Sequence, residues 1–422
     1  MATTVNATRP AILGGPRAVT LDGREANRWP IFTSEDEAAV LSIMRDGDLS
    51  LHPVARELED DYRRYFGVKH ALSHCNGTSA LMAAFFALGL EPGSEVLVPT
   101  ATFWATVVPM MWCGLVPVFC ESEPVRLGID PDDAAKKITP RTRAIVVVHL
   151  FGMPSRMTEL LALASKHNLR VIEDASHAHG AQWRGRNIGA LGDIAVFSMQ
   201  GHKLAPAGEG GMFLTNDGAL MERATCFGDM VRVMELNTPA ARFAGTTFGI
   251  KTRIASLSAA IARVQMRHLD ERSARRKENL LYLSDRLDKL GFETFRGPAH
   301  VNRVYFEYLV RYDAARWGLD REKLIAALRA EGCEAGFPRY PLVHQQPLFT
   351  EGAYREIPAM RGLTNIPKYE AADLPRTHAM NEQMLKLPVF PSATRPLLDQ
   401  YAEAFEKVLN HSREIAAAGG AA

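Results

Sequence analysis

Between His70 and Asp217 the apolar residues come in short unbroken runs rather than in alternation. Glu95-Val-Leu-Val-Pro99, Val116-Pro-Val-Phe119, Ala144-Ile-Val-Val-Val148, Val171-Ile172, Ile194-Ala-Val-Phe197 and Met212-Phe-Leu-Thr215 are such runs, and stretches of helical period such as Ser79–Gly89 and Met157–Asn168 separate them. A strand that is apolar at nearly every position is buried on both faces. The pattern therefore predicts an α/β architecture, a mainly parallel sheet with helices on either side. In such sheets ligands gather beyond the carboxyl ends of the strands.

The flanks read differently. Residues 1–33 are rich in Gly, Pro and Thr and are expected to form an extended arm. Ser34-Glu-Asp-Glu37 reads as a capping box opening a helix that stops near Gly47. Val54, Leu58, Tyr62 and Tyr65 share one face of a second helix, Pro53 to Phe66. A helical region from Ala255 to Leu290, charged on one side, is expected to bridge to a second domain. That domain carries strand Val304–Val310, helix Arg321–Glu331, helix Pro396–Leu409 and a small-residue tail, Ala416–Ala422, expected to fray. The expected division is an arm (1–33), a large domain with the bridging helix (34–290) and a small C-terminal domain (291–422).

Composition narrows the function classes. A chain of 422 residues exceeds one typical core. Its 49 basic and 48 acidic residues nearly cancel, which leaves no electrostatic footprint for nucleic acid or an anionic membrane. The start lacks a charged segment followed by an apolar one, so no signal peptide is expected. No window approaches the roughly 20 apolar residues of a spanning helix. The five cysteines show no metal-type spacing and mostly sit in apolar runs, as expected of core thiols in a reducing, cytoplasmic setting.

The chemistry lies in two charged residues at the ends of strand-like runs. Asp174 closes Leu169-Arg-Val-Ile-Glu-Asp174. Lys203 follows the run from Asp193 to Ser198 and leads into Gly208-Glu-Gly-Gly211. A buried carboxylate followed at that distance by a lysine is what pyridoxal phosphate (PLP) chemistry requires. The lysine forms a Schiff base with the cofactor aldehyde, and the carboxylate keeps the pyridine nitrogen protonated so that the ring accepts electrons.

Other segments fall in step with that pair. Asn76-Gly77-Thr78-Ser79 lies between a strand, Ala71–His74, and a helix starting near Ser79, where small residues and free amides suit a phosphate dianion. The plainer reading is that Thr78 or Ser79 only caps the helix. Trp104, just past a strand end, can stack on a pyridine ring, although a buried tryptophan by itself is more often a core residue. His177-x-His179 hints at a metal but lacks a third ligand. His177 is better placed beside a ring oxygen, and His179 reads as a structural hydrogen-bonding residue. Ser198, five positions before Lys203, can reach a phosphate. These weak signals occur in chain order at successive strand ends, and their agreement outweighs each alone.

Together these segments resemble the PLP-dependent sugar aminotransferases often labelled DegT/StrS. The resemblance runs from Ile12-Leu-Gly-Gly15 to Pro388. It rests on Asn76-Gly-Thr-Ser-Ala-Leu81, Pro99-Thr-Ala-Thr-Phe-Trp-Ala-Thr106, Val148-His-Leu-Phe-Gly152, Glu173-Asp-Ala-Ser-His-Ala-His-Gly180, Phe197-Ser-Met-Gln200 and Lys203…Gly208-Glu-Gly-Gly211. It implies the aspartate-aminotransferase-like fold (PLP fold type I) and a homodimer with shared active sites. It also implies Lys203 as Schiff-base lysine, Asp174 as pyridinium partner, Trp104 on the ring and His177 beside its hydroxyl. Gly77, Thr78, Ser79 and Ser198 would hold the phosphate with Gln200 nearby. Acceptor-side contacts are expected from Arg339-Tyr340-Pro-Leu-Val-His344, where His344 resembles a family position near the amino acceptor or is an ordinary loop histidine.

One segment departs from the family pattern. Where the family commonly has Gly-x-Asn-x-Arg, reaching across the dimer to the partner's phosphate, this chain has Gly249-Ile-Lys251-Thr-Arg253. Lys251 would then supply a point charge in place of an amide, with Arg253 on the substrate side. The expected activity is transfer of an amino group from glutamate or glutamine to a keto-sugar or a keto-cyclitol such as scyllo-inosose. The rival readings are a PLP-dependent sugar dehydratase or lyase, and a non-catalytic PLP-binding regulator.

Overall fold

The computed structural model describes residues 8–246 and 248–418. The first seven residues of the expected arm and the last four of the expected tail lie outside the described residues. Seven strands make the central sheet: β1 (His70–His74), β2 (Glu95–Pro99), β3 (Val116–Cys120), β4 (Thr142–Val148), β5 (Arg170–Asp174), β6 (Ile194–Ser198) and β7 (Gly211–Thr215). Their spatial order is β1-β7-β6-β5-β4-β2-β3. Only β7 runs against its neighbours. Register aligns the ends that matter: Val148 pairs with Asp174, Asp174 with Val196, and Ser198 with Gly211. The carboxyl ends of β4, β5 and β6 thus open on one edge.

The flanking helices follow the pattern, with instructive shifts. Helix α1 (Ser34–Asp46) is capped by Thr33, one residue before the expected box; the Asp36 carboxylate accepts from the Thr33 amide at 2.8 Å and its hydroxyl at 3.0 Å. It stops at Gly47, whose φ of 77° is the left-handed stop a glycine permits. Helix α2 (Val54–Phe66) buries Val54, Leu58 and Tyr62. Helix α3 (Gly77–Leu88) starts directly beyond β1. The expected single helix between residues 255 and 290 is two, α4 (Ser256–Arg267) and α5 (Leu269–Lys289), parted at His268. Amphipathic period alone did not register that break.

A second core gathers Leu280, Leu283 and Leu287 of α5 with Tyr308, Leu324, Leu328, Leu398 and Phe405. It surrounds a two-stranded ladder of β8 (Tyr308–Arg311) and β9 (Met384–Leu387), with α6 (Arg321–Ala330) and α7 (Arg395–Asn410). Strand β8 starts four residues later than expected. Val304 and Phe306 instead donate their amides to Gly152 and Phe151 of the first core, at 3.1 and 3.3 Å. The segment from 8 to 33 is not free: Val19 and Ala26 enter the second core, and the amides of Ala11 and Ala18 donate to the Glu331 carboxylate at 2.7 and 2.8 Å. Residues beyond 342 return to the sheet, where Val343 donates to Thr100 at 3.0 Å and the Tyr369 hydroxyl accepts from Phe119 at 2.8 Å. The two cores are therefore stitched together around the open strand ends. No helix among the described residues is long and apolar enough to cross a membrane.

Candidate active site

A cavity of about 500 Å³ opens where the strand ends meet the second core. Gly77, Thr78, Trp104, Thr106, Asp174, His177, Ser198, Gln200, Lys203, Phe306, Arg339 and Tyr340 are among its lining residues. Lys203 is 8 % exposed. Its loop leaves β6 at Ser198 and is held by the amide of Met199 donating to Gly210, and that of Lys203 to Gln200, both at 2.8 Å. From outside, the Trp29 indole donates to the Lys203 carbonyl at 3.1 Å. Among the described residues no carboxylate lies within salt-bridge distance of Nζ, which sits 4.4 Å from the centroid of the Phe306 ring. Burial lowers the amine to a pKa of about 8, against a smaller upward pull from Asp174; the Arg339 cation lowers it further. A lysine in that state is an available nucleophile and base near neutral pH.

Two neighbouring carboxylates on β5 show how the fold separates roles. Adjacent strand residues face opposite sides. Glu173 turns away from the cavity and accepts from the amides of Gly189, Leu191 and Gly192 at 2.7–3.0 Å, with His149 Nε2 at 3.1 Å. Burial raises its pKa, but the His149 and backbone partners more than offset that and hold it below the ordinary value. Glu173 is fully committed to structure. Asp174 faces the cavity. Its Oδ2 accepts from the Thr106 hydroxyl at 2.7 Å, itself 2.8 Å from that of Thr102, while among the described residues Oδ1 takes only the Ser176 amide at 3.2 Å. It is braced from behind and retains capacity toward the cavity.

The loop after β1 is built for an anion. Asn76 caps α3, its Oδ1 accepting from the Ser79 amide at 2.8 Å and the Ser79 hydroxyl at 2.9 Å. The cap is thus Asn76 rather than Thr78 or Ser79, and the Ser79 hydroxyl is spent on it. Ser79 does not line the cavity; Gly77 and Thr78 do, and among the described residues their amides have no acceptor. Two free N–H groups at the N-terminus of a 12-residue helix are donors of the kind that suit an anion. Glycine is required here by close approach, since a Cβ on Gly77 would fall 2.7 Å from that of Ser198.

His177 is fixed between walls. Its ring stacks on Phe306 with centroids 4.2 Å apart. Nδ1 accepts from the Phe151 amide at 3.3 Å, which leaves the proton on Nε2 to donate to the Tyr340 hydroxyl at 3.2 Å. Burial, then the nearby Lys203 cation, keeps it neutral. His179 turns the other way, to the Tyr62 hydroxyl at 3.0 Å, so the pair cannot share a metal. No metal-binding cluster exists among the described residues. Trp104 is 43 % exposed at the cavity mouth, not a core residue.

The structure does not bring every expected residue here. His344 is buried off the cavity, its Nδ1 2.6 Å from the Thr100 hydroxyl. This corrects the expectation of an acceptor contact: the loop turns after Tyr340, so Arg339 and Tyr340 enter the cavity and His344 packs behind the end of β2. Lys251 and Arg253 flank Thr252, which points inward to His74 Nδ1 at 2.8 Å, so both cations face away from this chain's cavity. Thr106 and Phe306 escaped sequence reading because no periodicity or spacing distinguishes them. Arg339 and Tyr340 lay within a segment expected to touch substrate, although the emphasis fell on His344.

The site can now be set beside known proteins. The DegT/DnrJ/EryC1/StrS aminotransferase family model matches residues 30–406. A putative L-glutamine:3-amino-2,3-dideoxy-scyllo-inosose aminotransferase from Streptoalloteichus tenebrarius is 35% identical over 333 residues, covering 77% of this chain and 79% of the relative. GDP-perosamine synthase from Caulobacter vibrioides is 33% identical over 355 residues, 84% and 89% of the two chains. The crystal structure of DesV from S. venezuelae in complex with a ketimine intermediate superposes with a TM-score of 0.77 at 30% identity, covering 93% of this chain and 99% of that one.

Proposed function

The chain belongs to the DegT/DnrJ/EryC1/StrS aminotransferase family, and from that membership and the cavity's geometry we propose a PLP-dependent transfer of an amino group from glutamate or glutamine to a keto-sugar or keto-cyclitol. That the protein is an aminotransferase follows from the family and its relatives. The cofactor reading is carried by one observation: a buried lysine, without a carboxylate partner among the described residues, shares a cavity with a carboxylate braced from behind. PLP, when bound there, supplies the electron sink for breaking the Cα–H bond of the donor.

The residues divide the remaining work. The Gly77 and Thr78 amides, with the Ser198 hydroxyl and Gln200 near them, hold the phosphate. Asp174 keeps the pyridine nitrogen protonated, and Thr106 keeps Asp174 in place. Trp104 covers one face of the ring and excludes water. His177, neutral and tethered to Tyr340, stands beside the ring oxygen. With PLP bound, Lys203 Nζ would be the group that moves the proton from the donor's Cα, which its lowered pKa permits.

The acceptor reading is supported by the relatives, whose names include an amino-scyllo-inosose and GDP-perosamine. A homodimer is supported by exposed Met230, Met234, Phe248 and Ile250, apolar side chains that a second copy would cover. In it Lys251 and Arg253 would reach the partner's cavity. Five free cysteines fit a cytoplasmic setting, and the paired cores fit a large and a small domain.

Incubating the PLP-loaded protein with L-glutamate or L-glutamine tests the reading. One keto acid per site should form while the cofactor changes to its amino form, and a keto-cyclitol or keto-sugar should then restore it. Loss of water or ammonia from the acceptor without nitrogen transfer would favour the lyase instead.

A further inference from the structure

Arg339 occupies an unusual electrostatic position at the mouth of the cavity. Its Nε donates to Oε1 of Glu307, a carboxylate that is 1 % exposed. The same oxygen also receives Lys386 Nζ at 3.0 Å. Two cations thus share one carboxylate, and the cluster keeps a surplus positive charge. Since Nε alone anchors Arg339, its two Nη groups have no protein partner among the described residues. The side chain lines the cavity beside Tyr340 and His177.

Distance selects what those free groups bind. The Phe306 ring lies 4.4 Å from Lys203 Nζ and 5.7 Å from the Arg339 guanidinium carbon, so the two cations are no more than about 10 Å apart. An amino-acid donor must bring its Cα–H to Nζ, and its carboxylate is one bond away from that carbon. A planar fork held by Nε and open at both Nη positions matches a carboxylate in two-point contact. The phosphates of a nucleotide-linked acceptor are the other anions that an exposed fork can take, but they lie several bonds from the reacting carbonyl.

We propose that Arg339, anchored by Glu307, binds the α-carboxylate of the amino-acid donor and so selects α-amino acids as nitrogen source. This rests on the transaminase reading above. Because Lys386 continues to neutralise Glu307, Arg339→Gln should fold and retain PLP.

The test uses PLP-loaded wild type, Arg339→Gln and Arg339→Lys. Binding of α-methyl-L-glutamate, which has no Cα–H to lose, is measured by calorimetry. The donor half-reaction is followed with L-glutamate and with L-isoglutamine, whose α-carboxylate is replaced by an uncharged carboxamide. Arg339→Gln should weaken α-methyl-L-glutamate binding and the apparent affinity for glutamate by roughly 10- to 100-fold. It should leave isoglutamine and the keto-acceptor half-reaction within about threefold, with Arg339→Lys intermediate. Equal losses for glutamate and isoglutamine would overturn the proposal, as would a loss confined to the acceptor half-reaction. If wild type forms no keto acid yet binds α-methyl-L-glutamate through Arg339, the transaminase reading fails while the carboxylate site stands.

Discussion

Two regions pack around the passage from β1 into α3, and they differ in how much of their chemistry lies within this chain. On one side the end of β6 presses Ser198 against Gly77 and continues to Lys203, buried and aimed into the cavity. On the other, Thr252 reaches His74 while its neighbours face outward, with Ile250 65 % exposed. The first region acquires its chemistry from this chain alone. The second leaves Lys251 exposed, and in the proposed dimer its charge would gain a role against a second copy. Lys203 is buried in one region, and Lys251 is exposed in the other.

Changes in the first region should therefore be severe. Lys203→Ala should lower turnover by a thousandfold or more while PLP still binds non-covalently, measured by kcat and by cofactor content after gel filtration. Its pH behaviour sharpens the point. The folded pKa of about 8 lies below the unfolded value near 10.5, so the unfolded chain binds the extra proton between them. Without cofactor, the stability cost of Lys203 should be full below about pH 8 and vanish as pH rises to about 10.5. Lys203→Met should be the more stable protein at pH 7 and lose that advantage at high pH, read from denaturant midpoints.

The neighbouring carboxylates of β5 repeat the contrast on a smaller scale. Asp174→Asn should cost about 10²–10³ in kcat with little change in Tm, because an amide cannot hold the pyridine nitrogen protonated. Glu173→Gln should do the reverse. It upsets a carboxylate serving three amides and His149, and should destabilise by about 1–3 kcal/mol with PLP chemistry largely retained. If both variants lose activity alike, the division between the two faces of β5 is wrong.

Thr106→Val removes the hydroxyl behind Asp174 and should reduce kcat by about tenfold without loss of cofactor. The smallest effect belongs to the exposed region. Lys251→Ala should weaken PLP retention a few-fold and loosen the proposed dimer slightly, and Lys251→Asn should recover much of it. Unchanged retention would leave Lys251 solvated and remove it from the site.

Much of this was legible from the chain because buried strands write their own pattern. All seven strands of the sheet fall on the continuous apolar runs or on the Ala71–His74 stretch, and Asp174, Ser198 and Lys203 sit where those runs end. What escaped was set by long-range contact. The break at His268 lies inside a helical period, and Phe306 leaves its expected strand to bond with Phe151. Thr106 matters only because β5 brings Asp174 to it, 68 residues away. His344 and Arg339 share one short segment, and only the turn after Tyr340 sends one inward and the other behind β2. Helix capping failed by one residue at Thr33 and by two or three at Asn76 for a simpler reason: each offers an oxygen that competes with a serine or threonine further along.

The central claim is that Lys203 is the residue this protein uses to hold PLP covalently. Saturating the purified protein with PLP, reducing it with borohydride and mapping the proteolytic peptides tests it most directly. The phosphopyridoxyl label should appear once per chain, on the peptide containing Lys203. A label on another lysine, or a protein that retains PLP but yields no label, would contradict it.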